Sequence, residues 1–107
     1  MKLGPPIYSV HDDDISKREC IETFVYGLAN HIDDLQEAEL GEDLQEVERL
    51  SRDLVEGATR SGYPTLIGVA NAAITACQAS KPDEVRHAIE ELTDLVQRVR
   101  RGSRGAA

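Results

Sequence analysis

The sequence predicts an all-α domain: an up-down-up-down four-helix bundle with a short N-terminal lead-in. Three observations predict it. Apolar residues recur at spacings of three and four in four separate segments. Glycine, proline and short polar residues punctuate the chain between those segments. No stretch alternates β-branched and polar residues as a strand does. Connections of a few residues make consecutive helices antiparallel neighbours. No internal repeat is visible beyond the helix period itself.

Residues 1–11 carry Gly4, Pro5 and Pro6 and read as an extended lead-in. Asp12, Asp13 and Asp14 suit a turn or a helix entrance. Ser16 followed by Glu19 has the form of a capping box. Ile21, Phe24, Val25, Leu28, Ile32 and Leu35 then line one stripe of a helix of about 22 residues, which Gly41 ends.

Asp43 with Glu46 forms a second capping box. Leu44, Val47, Leu50, Leu54 and Ala58 mark the apolar face of the second helix. Gly62 stops it, and Pro64 is placed to open a third. The third helix carries Leu66, Ile67, Val69, Ala70, Ala73, Ile74 and Cys77. Its small residues, Gly68, Ala70, Ala72, Ala73 and Ala76, allow close helix approach. Ser80, Lys81 and Pro82 break the chain again. Val85, Ile89, Leu92, Val96 and Val99 mark the fourth helix. The bundle is expected over residues 12–101, with a flexible tail at 102–107.

The 107 residues, 11.8 kDa, are sized for one domain. Aromatic residues are only 4%, with no Trp, which argues against a base-stacking platform. A net charge of -8 has the wrong sign for a general phosphate-backbone binder. No apolar run approaches the ~20 residues of a membrane span. Residues 1–10 lack the apolar stretch of roughly 7–15 residues of a secretory signal. Cys20 and Cys77 form no metal or redox spacing and read as reduced core residues of a cytoplasmic protein.

The charge is unevenly placed. Residues 1–44 hold eleven acids against three bases, whereas residues 45–107 hold nine of each. Arg98, Arg100, Arg101 and Arg104 cluster at the end. They suit the negative end of a helix dipole, with a basic interaction tail as the second reading.

The stretch from Leu50 to Leu66 reads LSRDLVEGATRSGYPTL. It resembles the central motif of histidine-containing phosphotransfer (HPt) domains, the four-helix relay modules of two-component signalling. The family pattern is roughly L-x-H-x-L-K-G-x-x-x-x-x-G-[FY]-P-x-L. Leu50, Leu54, Gly62, Tyr63, Pro64 and Leu66 match it without a gap. Phe24-Val25 and Leu28 resemble the F-V-x-x-L of the preceding helix. Asp43 resembles the acid at the turn before the histidine helix. The likeness spans residues 7 to 101.

Three positions depart together. Arg52 stands where the resemblance implies the phosphoacceptor histidine, Val55 where it implies lysine, and Glu56 where it implies glycine. The family's reaction is attack by a neutral imidazole nitrogen on the aspartyl phosphate of a receiver domain. Imidazole suits it because a pKa near 6.5 leaves a free lone pair at neutral pH. A guanidinium stays protonated and has none. Val55 brings no charge to the phosphoryl oxygens, and Glu56 brings bulk and repulsion. The chain is therefore expected to have no catalytic residue, no enzymatic activity, no metal and no cofactor. The resemblance implies a receiver domain or a histidine kinase as partner, with no role for nucleic acid or membrane.

The expected partner-binding face is Arg52, Val55, Glu56 and His31. The plainer reading of Arg52 is a surface charge ladder with Glu48 and Glu56, each pair worth about 0.3–0.5 kcal/mol. In the other reading Arg52 docks in the acidic pocket that the resemblance implies on a receiver, with Glu48 and Glu56 opposing it. His31 comes level with Arg52 if the first two helices fold back around Gly41-Glu42. It is the candidate for a relocated acceptor, although Asp33 and Asp34 beside it disfavour incoming phosphate. A third possibility is a structural bundle that self-associates through its alanine-rich third helix.

Other chemistry is thin. His11 beside Asp12–Asp14 is a weak metal hint. His87 falls near Arg86 and Glu90 on a solvated face. Ser51 and Asp53 flank Arg52, but helix spacing points them apart, and no Ser-His-Asp order follows. No phosphate-binding glycine loop or HExxH is present. Asp33-Asp34 and Glu90-Glu91 read as solvated faces.

Overall fold

The computed structural model describes residues 4–105. Among these residues it is all-helical. A 3-10 turn, Ile15–Lys17, precedes α1 (Arg18–Leu40), α2 (Leu44–Ser61), α3 (Pro64–Gln78) and α4 (Pro82–Gly105). Each helix packs on the next in sequence, and α1 closes against α4. Residues 1–3 of the expected lead-in and 106–107 of the expected tail lie outside the described residues.

The apolar stripes meet in one core. Ile21, Val25, Leu28, Ile32 and Leu35 of α1 face Val47, Leu50, Leu54 and Ala58 of α2. Leu66, Ala70 and Cys77 of α3 and Val85, Ile89, Leu92, Val96 and Val99 of α4 complete it. Phe24 and Tyr63 stack with ring centres 5.7 Å apart, joining α1 to the α2–α3 turn.

The caps differ from expectation where a nearer partner competes. The Ser16–Glu19 box does not form. Asp14 accepts from both the Ser16 N–H (3.0 Å) and the Ser16 hydroxyl (2.6 Å), so that hydroxyl is already committed. These bonds hold the Asp14 carboxyl below its ordinary range. The 3-10 turn follows, and α1 opens at Arg18 without a side-chain cap. The Asp43–Glu46 box forms by half. Asp43 accepts from the Glu46 N–H at 3.1 Å, while the Glu46 carboxylate turns to Arg49. Gly41 follows the last residue of α1, but the left-handed residue is Glu42 (φ 58). Gly62 does supply a left-handed end (φ 80). Pro64 and Pro82 are the first residues of α3 and α4, so Pro82 opens a helix rather than breaking the chain.

α4 continues past the expected boundary at residue 101, and residues 102–105 of the expected tail are helical. The lead-in explains this. The Ile7 N–H donates to the Arg98 carbonyl (3.1 Å), and the Val10 N–H donates to the Gly62 carbonyl (2.8 Å). The Arg98 guanidinium donates to the Pro5 carbonyl at 2.9 Å, and Arg101 donates to that of Gly4. Gly102 lies against the Ile7 carbonyl, where a Cβ would clash. The lead-in is thus strapped across the last turns of α4.

Candidate functional site

Arg52, Val55 and Glu56 lie on α2. Val47, Leu50, Ser51, Leu54 and Ala58 turn inward and fix the helix rotation. Arg52 and Glu56 are consequently exposed, while Val55 is half-buried against the core. The outer face is tiled with ion pairs. Arg49 meets Glu46 at 2.7 Å and Asp53 at 3.3 Å. The Arg49 guanidinium holds the Glu46 carboxyl below its ordinary range. Arg52 meets Glu48 at 2.7 Å, and Arg60 meets Glu56 at 3.7 Å.

The expected ladder through Glu48, Arg52 and Glu56 is therefore only half formed. Glu56 pairs forward with Arg60. A glutamate four residues before its cation is the better orientation on a helix. Glu48–Arg52 and Glu56–Arg60 both have it, and Arg52–Glu56 does not.

His31 sits half-buried on α1, with Nε2 2.7 Å from the Leu50 carbonyl oxygen. A carbonyl only accepts, so Nε2 carries the proton and donates. The remaining lone pair is on Nδ1. His31 lines a cavity of about 300 Å³ on the α1–α2 seam with Asp53, Gly57 and Arg60.

Folding back at Gly41-Glu42 was expected to bring His31 level with Arg52, whereas its imidazole meets the Leu50 carbonyl. It does not meet Arg52. Residues 50 and 52 lie about 200° apart around the helix axis. Glu48, the partner of Arg52, also receives the Gln78 amide of α3 at 3.5 Å. The Arg52 flank of α2 thus turns toward α3, and the His31 flank toward α1.

Comparison of the chain with protein-family models, with curated proteins and with solved structures finds no match.

The chemistry of the face follows from its side chains. Arg52 offers an exposed cation that can bind carboxylate or phosphate oxygens but has no lone pair with which to attack phosphorus. Ser51 is buried, and its hydroxyl has no partner among the described residues. Asp53 is exposed on Arg49, so the two point apart as expected. Both cysteines are free. Cys77 is buried, and that burial, with Glu48 nearby, pushes its thiol up. Cys20 is half-buried, 3.5 Å from the Ser61 hydroxyl.

His11 packs against Gly62, and His87 is exposed. No group of His, Cys, Asp or Glu among the described residues is arranged to hold a metal. No helix among them is long and apolar enough to cross a membrane. A larger cavity, about 570 Å³, lies elsewhere, at the end of the bundle beneath the lead-in. Sequence reading missed it because only the fold brings Asp12 beside Tyr63.

Proposed function

We propose that this chain is an HPt-like module that docks on a receiver domain or histidine kinase of a two-component pathway without accepting a phosphoryl group. The observation that carries the reading is Arg52, an exposed guanidinium on α2 where the resemblance implies the phosphoacceptor imidazole. Its pair with Glu48 is exposed and worth only about 0.3–0.5 kcal/mol, so an acidic pocket on a partner can take it over. The proposal includes the up-down-up-down course of the helices. It is supported by packing between consecutive helices, closure of α1 on α4, and connections of a few residues. The engagement of His31 Nε2 with Leu50 supports a positioning role for that imidazole rather than phosphate acceptance.

The test is a binding titration of the full chain against a panel of receiver domains charged with acetyl phosphate. The reading expects saturable binding to a receiver and no label on this chain, with Arg52→Glu weakening binding about tenfold. Absence of receiver binding, together with a mass that rises with concentration, replaces it with the self-associating bundle. Exposed Gly68 and Ala72 on α3 are the surface for that second reading. Label that survives Arg52→Ala but not His31→Ala replaces it with an active carrier.

A further inference from the structure

The lead-in is held by a seat built from the end of α4 and the α2–α3 turn. The Ile7 and Val10 N–H groups donate to the Arg98 and Gly62 carbonyls. Arg98 and Arg101 donate to the Pro5 and Gly4 carbonyls, and the Ser9 hydroxyl donates to the Ser61 carbonyl. Side chains alternate as they do in an extended segment. Ile7 packs on the core and Ser9 is buried, whereas Tyr8 and Val10 are 53% and 67% exposed. Two glycines leave room for this segment. A Cβ at Gly102 would meet the Ile7 backbone and the Tyr8 ring, and one at Gly62 would meet Ser9, Val10 and His11.

Only the turn that joins the lead-in to α1 ties this occupant to its own chain. Two backbone bonds close that turn: the Asp12 N–H to the Ser9 carbonyl (3.1 Å) and the Asp14 N–H to the His11 carbonyl (2.9 Å). It carries Asp12, Asp13 and Asp14, all exposed, and their mutual repulsion favours a straighter hinge. Five large apolar side chains are exposed among the described residues, and three of them, Tyr8, Val10 and Ile15, lie on the lead-in or just past this turn. When two copies exchange lead-ins, the straightened hinges pass each other about a two-fold axis. The three side chains then gain cover that the single chain does not give them.

We propose that this seat is an interaction surface for a second copy of the chain, which places its own lead-in there in reciprocal exchange. The contacts of the seat are the same whichever copy supplies the segment. The tethered lead-in competes at a local concentration of millimolar order, so exchange is expected to become substantial at about 1 mM chain. Each copy carries a net charge of -8, so salt that screens the repulsion favours association. The surface is separate from Arg52 and from α3, and it does not rest on the signalling reading.

The experiment is sedimentation of the full chain from about 10 μM to about 3 mM in about 0.5 M NaCl, with Gly102→Ala and Ile7→Asp beside it. The unmodified chain is expected to be monomeric at the low end and mostly dimeric at the high end. Gly102→Ala breaks the seat and keeps the strap, whereas Ile7→Asp breaks the strap and keeps the seat. Each variant alone is expected to stay monomeric with its helical circular dichroism intact. An equimolar mixture of the two is expected to form a one-to-one dimer. The proposal is overturned by an unmodified chain that stays monomeric throughout, by a dimer that either variant retains, or by a mixture that does not associate. A dimer that Gly102→Ala leaves intact and Ala72→Glu abolishes is association through α3, which also overturns it.

Discussion

The His31 imidazole of α1 donates to the Leu50 carbonyl of α2 across 2.7 Å. That carbonyl is inside a helix and already accepts along it, so loss of the imidazole does not orphan it. The net value of such a bond is about 1 kcal/mol. His31→Ala is expected to lower unfolding stability by about that amount in a urea titration. A loss above about 3 kcal/mol contradicts this bookkeeping.

Gly57 lies under the Phe24 ring, and an added Cβ would stand 2.7 Å from Cε1. Two effects oppose each other in Gly57→Ala. Alanine gains about 1 kcal/mol of helix propensity, and overpacking costs about 1–3 kcal/mol. The ring is stacked on Tyr63 and half-buried, so it cannot swing clear cheaply. The variant is expected to be destabilised by about 1 kcal/mol. In a Phe24→Leu background the same change becomes neutral or stabilising, which a double-mutant cycle measures.

The Tyr63 phenol is pushed up to about 12, first by burial and then by the charge of Asp12. Its folded value lies above its unfolded value, so folding favours the protonated form. The stability this contributes is complete below about pH 10 and is lost as pH rises through about 12. Denaturant melts across that window should show a slope of up to about 1.4 kcal/mol per pH unit. Tyr63→Phe should reduce the slope, leaving the share that belongs to the buried Cys77 thiol.

Glu42 holds a left-handed backbone (φ 58) that costs a non-glycine residue about 1–2 kcal/mol. Glu42→Gly relieves this and loses about 0.5–1 kcal/mol to unfolded-state entropy. A net gain of about 0.5 kcal/mol is expected. Gly62→Ala should lose about 2 kcal/mol or more, because φ 80 is joined there by His11, Ser9 and Val10 against the missing Cβ. Thermal melts of the two variants should move in opposite directions.

Helix content and core were legible because they rest on local periodicity. Val47, Leu50, Leu54 and Ala58 recur at helical spacing, and all four are buried. The exposure of Arg52 followed from the same arithmetic. Features decided by competition between neighbours were not legible. Asp14 takes the Ser16 hydroxyl from Glu19, Arg60 takes Glu56 from Arg52, and Glu42 rather than Gly41 turns left-handed. Long-range contacts were hidden as well. Arg98 and Arg101 read as dipole partners or an interaction tail, yet they donate to the carbonyls of Pro5 and Gly4. No spacing in the chain announces a contact between its two ends. The separation of His31 from Arg52 was lost for a related reason. Folding back fixes the level of two residues, whereas the flank depends on how each helix is rotated about its axis.

The most direct measurement is transfer of labelled phosphate from charged receiver domains to this chain and to the Arg52→His, Val55→Lys, Glu56→Gly triple variant. The account predicts binding without label for the natural chain and acid-labile label on the variant. Label on the natural chain, or a variant that binds no receiver at all, contradicts it.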